Sequence, residues 1–232
     1  FPHLAVWGRG SCLGNVGGAL EGRGEPKAGR EEGVLEMIEL VGLSGRENAF
    51  ASGLSGGQQQ RVGIARSLAV DPDIWFLDEP FSALDPLIRR ELQDEFIRLQ
   101  QIVQKTILFV THDFDEAIRL ANRIAIMEGG RIVQIGTPEE LVLNPADDYV
   151  ANFTKHVNKS QVVSVGAIMT AEQAGSKKTD VSVPASAKLA DVASVIMENG
   201  ASTTVVDADG KPAGTISRDA VLELLLDAMN TD

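Results

Sequence analysis

The chain has 232 residues, 44% hydrophobic and 23% charged, with 23 glycines, 9 prolines and 5% aromatic side chains. That composition excludes disordered, collagen-like and coiled-coil chains, and a net charge of -12, from 21 basic against 33 acidic residues, argues against broad contact with nucleic-acid backbones. No apolar run reaches the ~20 residues of a membrane-spanning helix, no charged-then-apolar leader is read at the start, and one cysteine, Cys12, rules out an internal disulfide and fits a reducing compartment.

Residues 1–30 contain eight glycines and no helical or strand period, so they are expected to be irregular. Helical spacing begins at Glu31, with Val34, Leu35, Ile38 and Val41 on one face and Gly42 as the stop. A Gly-rich patch, Ala51 to Gly57, leads into a helix over Gln58–Val70 that Asp71-Pro72-Asp73 breaks. Ile74-Trp75-Phe76-Leu77 is a short continuous apolar run that reads as a buried parallel strand, ending at Asp78-Glu79. Asp85 is placed to cap the next helix, Pro86 suits its first position, and Ile88, Leu92, Phe96, Leu99 and Val103 share a face. Thr106–Val110 reads as a second buried strand, Asp113–Ala121 as a helix, and Arg123–Met127 as a third strand. Glu128-Gly129-Gly130 is a hairpin-type turn before Arg131–Ile135. Strands alternating with helices predict a layered α/β domain.

Tyr149–Ser160 is polar without a strong period, and a domain boundary is expected near 150–163. Beyond it come Ser164–Met169, a helix over Ala187–Asn199, a hairpin hinged at Asp209-Gly210 and a last helix over Ala220–Met229. Residues 161–232 carry ten acidic and five basic side chains, so the tail reads as a compact acidic module.

Three constellations carry chemistry. Leu54-Ser55-Gly56-Gly57-Gln58 opens a helix: two glycines let backbone N–H groups approach a ligand, the helix directs its positive end there, and Ser55 adds a hydroxyl. That design suits phosphate, and the plain alternative is a flexible Gly/Ser turn. Asp78-Glu79 stands at the carboxyl end of an apolar strand, where open α/β sheets bind ligands. One carboxylate there can hold Mg2+ through its water shell and the next can deprotonate a water, against the plainer reading of an acidic turn. Thr111-His112-Asp113 repeats the placement after the next strand; alone, such a histidine is more often structural.

In this order, LSGGQ, RVGIARSLA, IWFLDEP, SALD and VTHD resemble the ATP-binding subunit of an ABC transporter over residues 31–155. The resemblance implies a partial ABC-type P-loop NTPase domain, a mostly parallel sheet with flanking helices, over residues 1–155. It implies ATP and Mg2+ as cofactors. Ser55, Gly56, Gly57 and Gln58 would be the signature motif, contacting the γ-phosphate held by the other subunit of a dimer. Asp78 would be the Walker B aspartate for Mg2+, Glu79 the general base, Ser82 to Asp85 the D-loop with Asp85 at the nucleotide, and His112 the switch histidine. No G-x-x-x-x-G-K-[ST] occurs in the 232 residues, and Phe1 to Val6 is similar to the segment that follows the Q-loop glutamine. The expectation is therefore a chain lacking the Walker A segment, inactive in ATP hydrolysis by itself.

Asp85–Glu95 and Asn144–Val150 are similar to the subgroup that imports glycine betaine, proline and choline. Thr203–Arg218 resembles the core of a CBS repeat, giving one small α+β module over residues 163–232. Adenosine-binding repeats usually place an aspartate three residues after the Ser/Thr, where this chain has Ala220, with Asp219 one place early. The module reads either as a packing and dimerisation unit or as a ligand sensor. The resemblance implies a second ATP-binding subunit, a multi-span permease and, indirectly, a substrate-binding protein as partners, no nucleic acid, and a place on the cytoplasmic face of the inner membrane. The alternative is a non-catalytic regulatory chain whose working part is the CBS module. A soluble ATPase of DNA repair or translation fits less well with the acidic surface and the CBS-like tail.

Overall fold

The structure, a computed structural model, describes residues 6–21, 27–82, 84–171 and 181–227. The segments read at Phe1 to Ala5 and Arg23 to Pro26, Ala83, and the last residues of the C-terminal helix lie outside these. The chain divides into two compact units, Phe1–His112 and Asp113–Asp232.

The first unit contains α1 (Cys12–Glu21), α2 (Lys27–Leu40), α3 (Gly56–Ala69), β1 (Ile74–Asp78), α4 (Pro86–Val103) and β2 (Thr106–Val110). β1 and β2 pair in parallel, from Ile74 opposite Thr106 to Asp78 opposite Val110, as the two apolar runs predict. One face of the pair turns Trp75 and Leu77 into the core. There Phe96 of α4 meets Trp75, Phe81 and Phe109 with ring centroids 5.6, 6.0 and 6.1 Å away. The opposite face exposes Ile74, Phe76, Leu108 and Val110, so the expectation of two buried strands is corrected: the pair is covered by the described residues on one face only.

The expectation that residues 1–30 are irregular is corrected: α1 is a ten-residue helix, and α2 begins at Lys27, not Glu31. The glycines that hide the period are used for close packing. A Cβ on Gly18 would come within 2.5 Å of the Trp7 ring, and one on Gly17 would meet Val34 of α2 at 3.6 Å. Such a helix forms because its neighbours pay for it, not from propensity.

Asn15 fastens the segment before α1. Its side chain is fully buried; Oδ1 accepts from the Trp7 N–H at 2.6 Å, and Nδ2 donates to the carbonyls of Trp7, Gly10 and Ser11 at 3.0–3.2 Å. Asn15→Ala leaves the Trp7 N–H without its acceptor, while the three carbonyls keep backbone donors, and costs about 1–3 kcal/mol. A urea titration should show a lower midpoint at unchanged slope; an unchanged midpoint would show that Asn15 is dispensable.

The second unit opens with α5 (Phe114–Leu120), capped by Asp113, whose carboxylate accepts from the Glu116 N–H. β3 (Ile124–Glu128) and β4 (Arg131–Gly136) follow, then α6 (Pro138–Leu143), capped by a reciprocal Thr137–Glu140 box. β3 pairs antiparallel with β4, a departure from the mostly parallel sheet expected of residues 1–155. The cause is the two-residue turn at Gly129 and Gly130, with φ of 55° and 77°, which folds adjacent strands into a hairpin.

α7 (Asp148–Thr154) and α8 (Lys159–Val162) occupy the stretch read as aperiodic. They are too short to display a period, and local caps start them: Asp147 accepts from Val150 N–H and Asn158 from Ser160 N–H. α9 (Val165–Ile168), β5 (Thr170–Ala171), β6 (Ser182–Pro184), α10 (Leu189–Glu198), β7 (Ser202–Val206), β8 (Pro212–Ser217) and α11 (Arg218–Asp227) complete the unit. The strands form a sheet in the order β5-β8-β7-β6, with β6 and β7 parallel and the other neighbours antiparallel. Val165, Val183, Leu189, Ile196, Val205, Ile216 and Val221 form its core. No helix among the described residues is long and apolar enough to cross a membrane.

Candidate functional site

The parallel pair brings two of the site residues together. Asp78 ends β1, and the next residue, Glu79, turns the chain away with φ of 43°. A residue with a Cβ holds that conformation at a cost of about 1–3 kcal/mol, so the surroundings must impose it. The Glu79 N–H donates to the Val110 carbonyl at 2.8 Å, carrying the parallel ladder one residue past β1. The Glu79 carbonyl accepts from the Ser82 hydroxyl at 3.0 Å and from the Ser82 N–H at 3.3 Å.

With its backbone fixed, the Glu79 side chain reaches across to the residue two past the end of β2. Oε1 lies 3.0 Å from Nδ1 of His112. The Glu79 side chain is 44% exposed and that of His112 71%, so solvent screens their attraction and the contact acts mainly to orient two groups. Asp78 is also exposed. Carboxylate, imidazole and a second carboxylate therefore face solvent at the carboxyl end of the strand pair, the edge where a ligand of an open α/β sheet sits.

Ser55 and its followers build the second element. Ser55 is the N-cap of α3: its Oγ accepts from the Gln58 N–H at 3.3 Å, and the Gln58 Oε1 accepts from the Ser55 N–H at 3.1 Å. This capping box uses the amides of Ser55 and Gln58 and leaves those of Gly56 and Gly57 at the open end of the helix, where the dipole favours an anion. Gly57 also lets α3 seat on α4, because a Cβ there would lie 2.9 Å from Ile88 Cγ2. Asp85 is engaged differently: its Oδ1 accepts from Leu87 and Ile88 N–H at 3.2 and 3.1 Å, capping α4.

Two residues of the neighbourhood escaped the sequence reading. Gln59 Nε2 donates to the carbonyls of Ala51 and Leu54 at 3.0 and 3.1 Å, and Gln60 Nε2 donates to the Pro80 carbonyl. The signal was the run Gln58-Gln59-Gln60, three amides that a helix points in three directions.

Asp78 and Glu79 are carboxylates without a third ligand: among the described residues no group of three or more His, Cys, Asp or Glu side chains could hold a metal ion. That donor set fits Mg2+ delivered with nucleotide phosphates, which takes one or two carboxylates and keeps its waters, and does not fit a metal held by protein alone.

Residues 2–82 match the ABC transporter family model and residues 156–227 the CBS domain model. The chain is 52% identical over 228 residues to the trimethylamine N-oxide transport system ATP-binding protein TmoW of Ruegeria pomeroyi, covering 98% of this chain and 64% of that protein. It is 49% identical over 216 residues to TmoW of Pelagibacter ubique, covering 93% and 63%. The glycine betaine transport ATP-binding protein OpuAA of Bacillus subtilis is 50% identical over 169 residues, 73% of this chain and 39% of its own length. The chain thus spans less than two thirds of these relatives.

Proposed function

We propose that this chain provides the signature loop and the catalytic carboxylate of an ABC-type ATPase subunit that energises uptake of a small methylated amine osmolyte. The observation that carries the reading is the Glu79–His112 contact at the carboxyl end of β1 and β2, beside the exposed carboxylate of Asp78. Bound Mg2+ would neutralise charge on the phosphates, and Asp78 is the residue to hold it through water. Glu79 accepts a proton from the attacking water, and His112 fixes the Glu79 carboxylate and faces the same solvent edge. Ser55, Gly56, Gly57 and Gln58 offer amides and a hydroxyl to a γ-phosphate held by a second subunit, and Asp85 shapes the intervening loop by capping α4. Little covalent chemistry falls to the protein in phosphoryl transfer, so these positions supply placement and charge.

In this reading residues 1–155 are the ATPase part, without a Walker A sequence of their own, and residues 163–232 a CBS module. The subunit works as a dimer beneath a multi-span permease on the cytoplasmic face of the inner membrane, indirectly served by a substrate-binding protein. The substrate class is supported by identity over nearly the whole chain. The two relatives named for trimethylamine N-oxide transport are 52% and 49% identical over 98% and 93% of it, whereas a glycine betaine/carnitine/choline transport relative that reaches 89% of it is 40% identical. Cells with this gene disrupted are expected to lose uptake of labelled trimethylamine N-oxide and to keep uptake of unrelated amino acids. Undiminished uptake of both trimethylamine N-oxide and glycine betaine would sink the assignment.

A further inference from the structure

We propose that Gln60 is a positioning residue that ties the helix of the signature loop to the turn holding Glu79, so that both sets of nucleotide contacts move as one piece; this rests on Glu79 being the general base.

Glu79 sits at φ 43° although it carries a Cβ, so its conformation depends on what grips the turn. Two grips are local: the Val110 carbonyl on the neighbouring strand, and Ser82 three residues along the same turn. Gln60 brings a third from a different element, through the Pro80 carbonyl directly after Glu79. The division of labour within the glutamine run singles it out. Gln58 closes the capping box of α3, and Gln59 holds Ala51 and Leu54 just before that helix, so both amides serve α3 itself. Only the third amide leaves α3 for the turn.

Its place on the helix gives the contact a consequence. Gln60 stands five residues after Ser55 on α3, a rise of roughly 7.5 Å along a stiff rod. A shift of the Gly56 and Gly57 amides is therefore transmitted to Pro80, and the reverse. A second contact runs the same way: Gly57 lies close against Ile88 and Leu92 of α4, the helix that follows the turn. α3 thus touches the segment both beside Glu79, through Gln60, and beyond it, through Gly57. The chemistry at position 60 is specific, because Pro80 offers an acceptor and an amide N–H answers it. A carboxylate of the same shape has no proton to give and turns the contact repulsive.

The test compares Gln60→Glu, which removes the donor at constant shape, with Gln60→Lys, which keeps a donor of similar reach. In 15N-labelled protein of all 232 residues, Q60E is expected to move the amide resonances of Glu79, Phe81 and Ser82 and leave those of α2 in place, with Q60K returning them toward the native positions. Gln60→Ala, which removes the donor without adding charge, is read the same way should Q60E not fold. Hydrolysis is measured in a hybrid that places a G-x-x-x-x-G-K-[ST] segment from an ABC transporter ATPase ahead of these residues. There Q60E should lower kcat about tenfold, as small misplacements of catalytic groups do, with KM for ATP within about twofold, and Q60K should recover most of the loss. A hybrid with native Gln60 that hydrolyses no ATP would count against the proposed function, while the amide resonances would still decide the role of Gln60. Unmoved Glu79, Phe81 and Ser82 resonances in the donor-less variants, or equal losses in Q60E and Q60K, overturn the proposal.

Discussion

Glu79→Gln is expected to lower Mg-ATP turnover by a factor on the order of 10²–10⁴ while leaving nucleotide bound, measured in the same hybrid. The substitution is close to isosteric, so the features that shape the turn survive it. The backbone N–H still reaches the Val110 carbonyl, the carbonyl still accepts from Ser82, and the side-chain oxygen can still face His112 Nδ1. What disappears is the ability to take a proton from water at the carboxyl end of β1. Asp78 does not replace it in this reading, because its carboxylate is the one committed to Mg2+. Near-native turnover with an unchanged unfolding midpoint would remove Glu79 from the role of base. Loss of turnover together with loss of nucleotide binding would instead make it a structural residue.

The parts of the fold legible in the sequence are those whose causes are local. α4 runs Pro86–Val103 as its cap, first-position proline and apolar face predict, because eighteen residues repeat one signal five times. β1 and β2 were legible as unbroken apolar runs that stop at acidic or polar residues. α1 was not, because glycines 14, 17 and 18 lower its propensity, and the contacts that stabilise it lie on Trp7 and α2. The site divides on the same line. Asp78, Glu79 and His112 could be named because each follows a strand end, a position that sequence reveals. The left-handed turn at Glu79 and the grip of Gln60 on Pro80 depend on two elements meeting, and no spacing encodes that.

The 232 residues by themselves are expected to bind Mg-ATP with an affinity three to six decades below that of an ATPase with a complete phosphate-binding loop. The sequence holds no G-x-x-x-x-G-K-[ST], so the lysine and the backbone cradle of that loop are not among its groups. Charge-assisted hydrogen bonds contribute roughly 1.5–3 kcal/mol each. Forgoing three of them costs about 4–9 kcal/mol, and ~1.4 kcal/mol is one decade in affinity. The fold offers few substitutes. The opening amides of α1 are already used: Cys12 N–H donates to Ala49, Leu13 N–H to Glu47 and Gly14 N–H to the Ser11 hydroxyl. α4 begins with a proline, and Asp85 takes the next two amides. At the start of α3 the capping box leaves the amides of Gly56 and Gly57, and two neutral donors without a lysine hold a triphosphate weakly. Calorimetric titration with Mg-ATP checks this. Millimolar or undetectable binding is the expected result, whereas micromolar binding would show that the Gly56–Gly57 end of α3 suffices in cis and would overturn its assignment to the nucleotide of a second subunit.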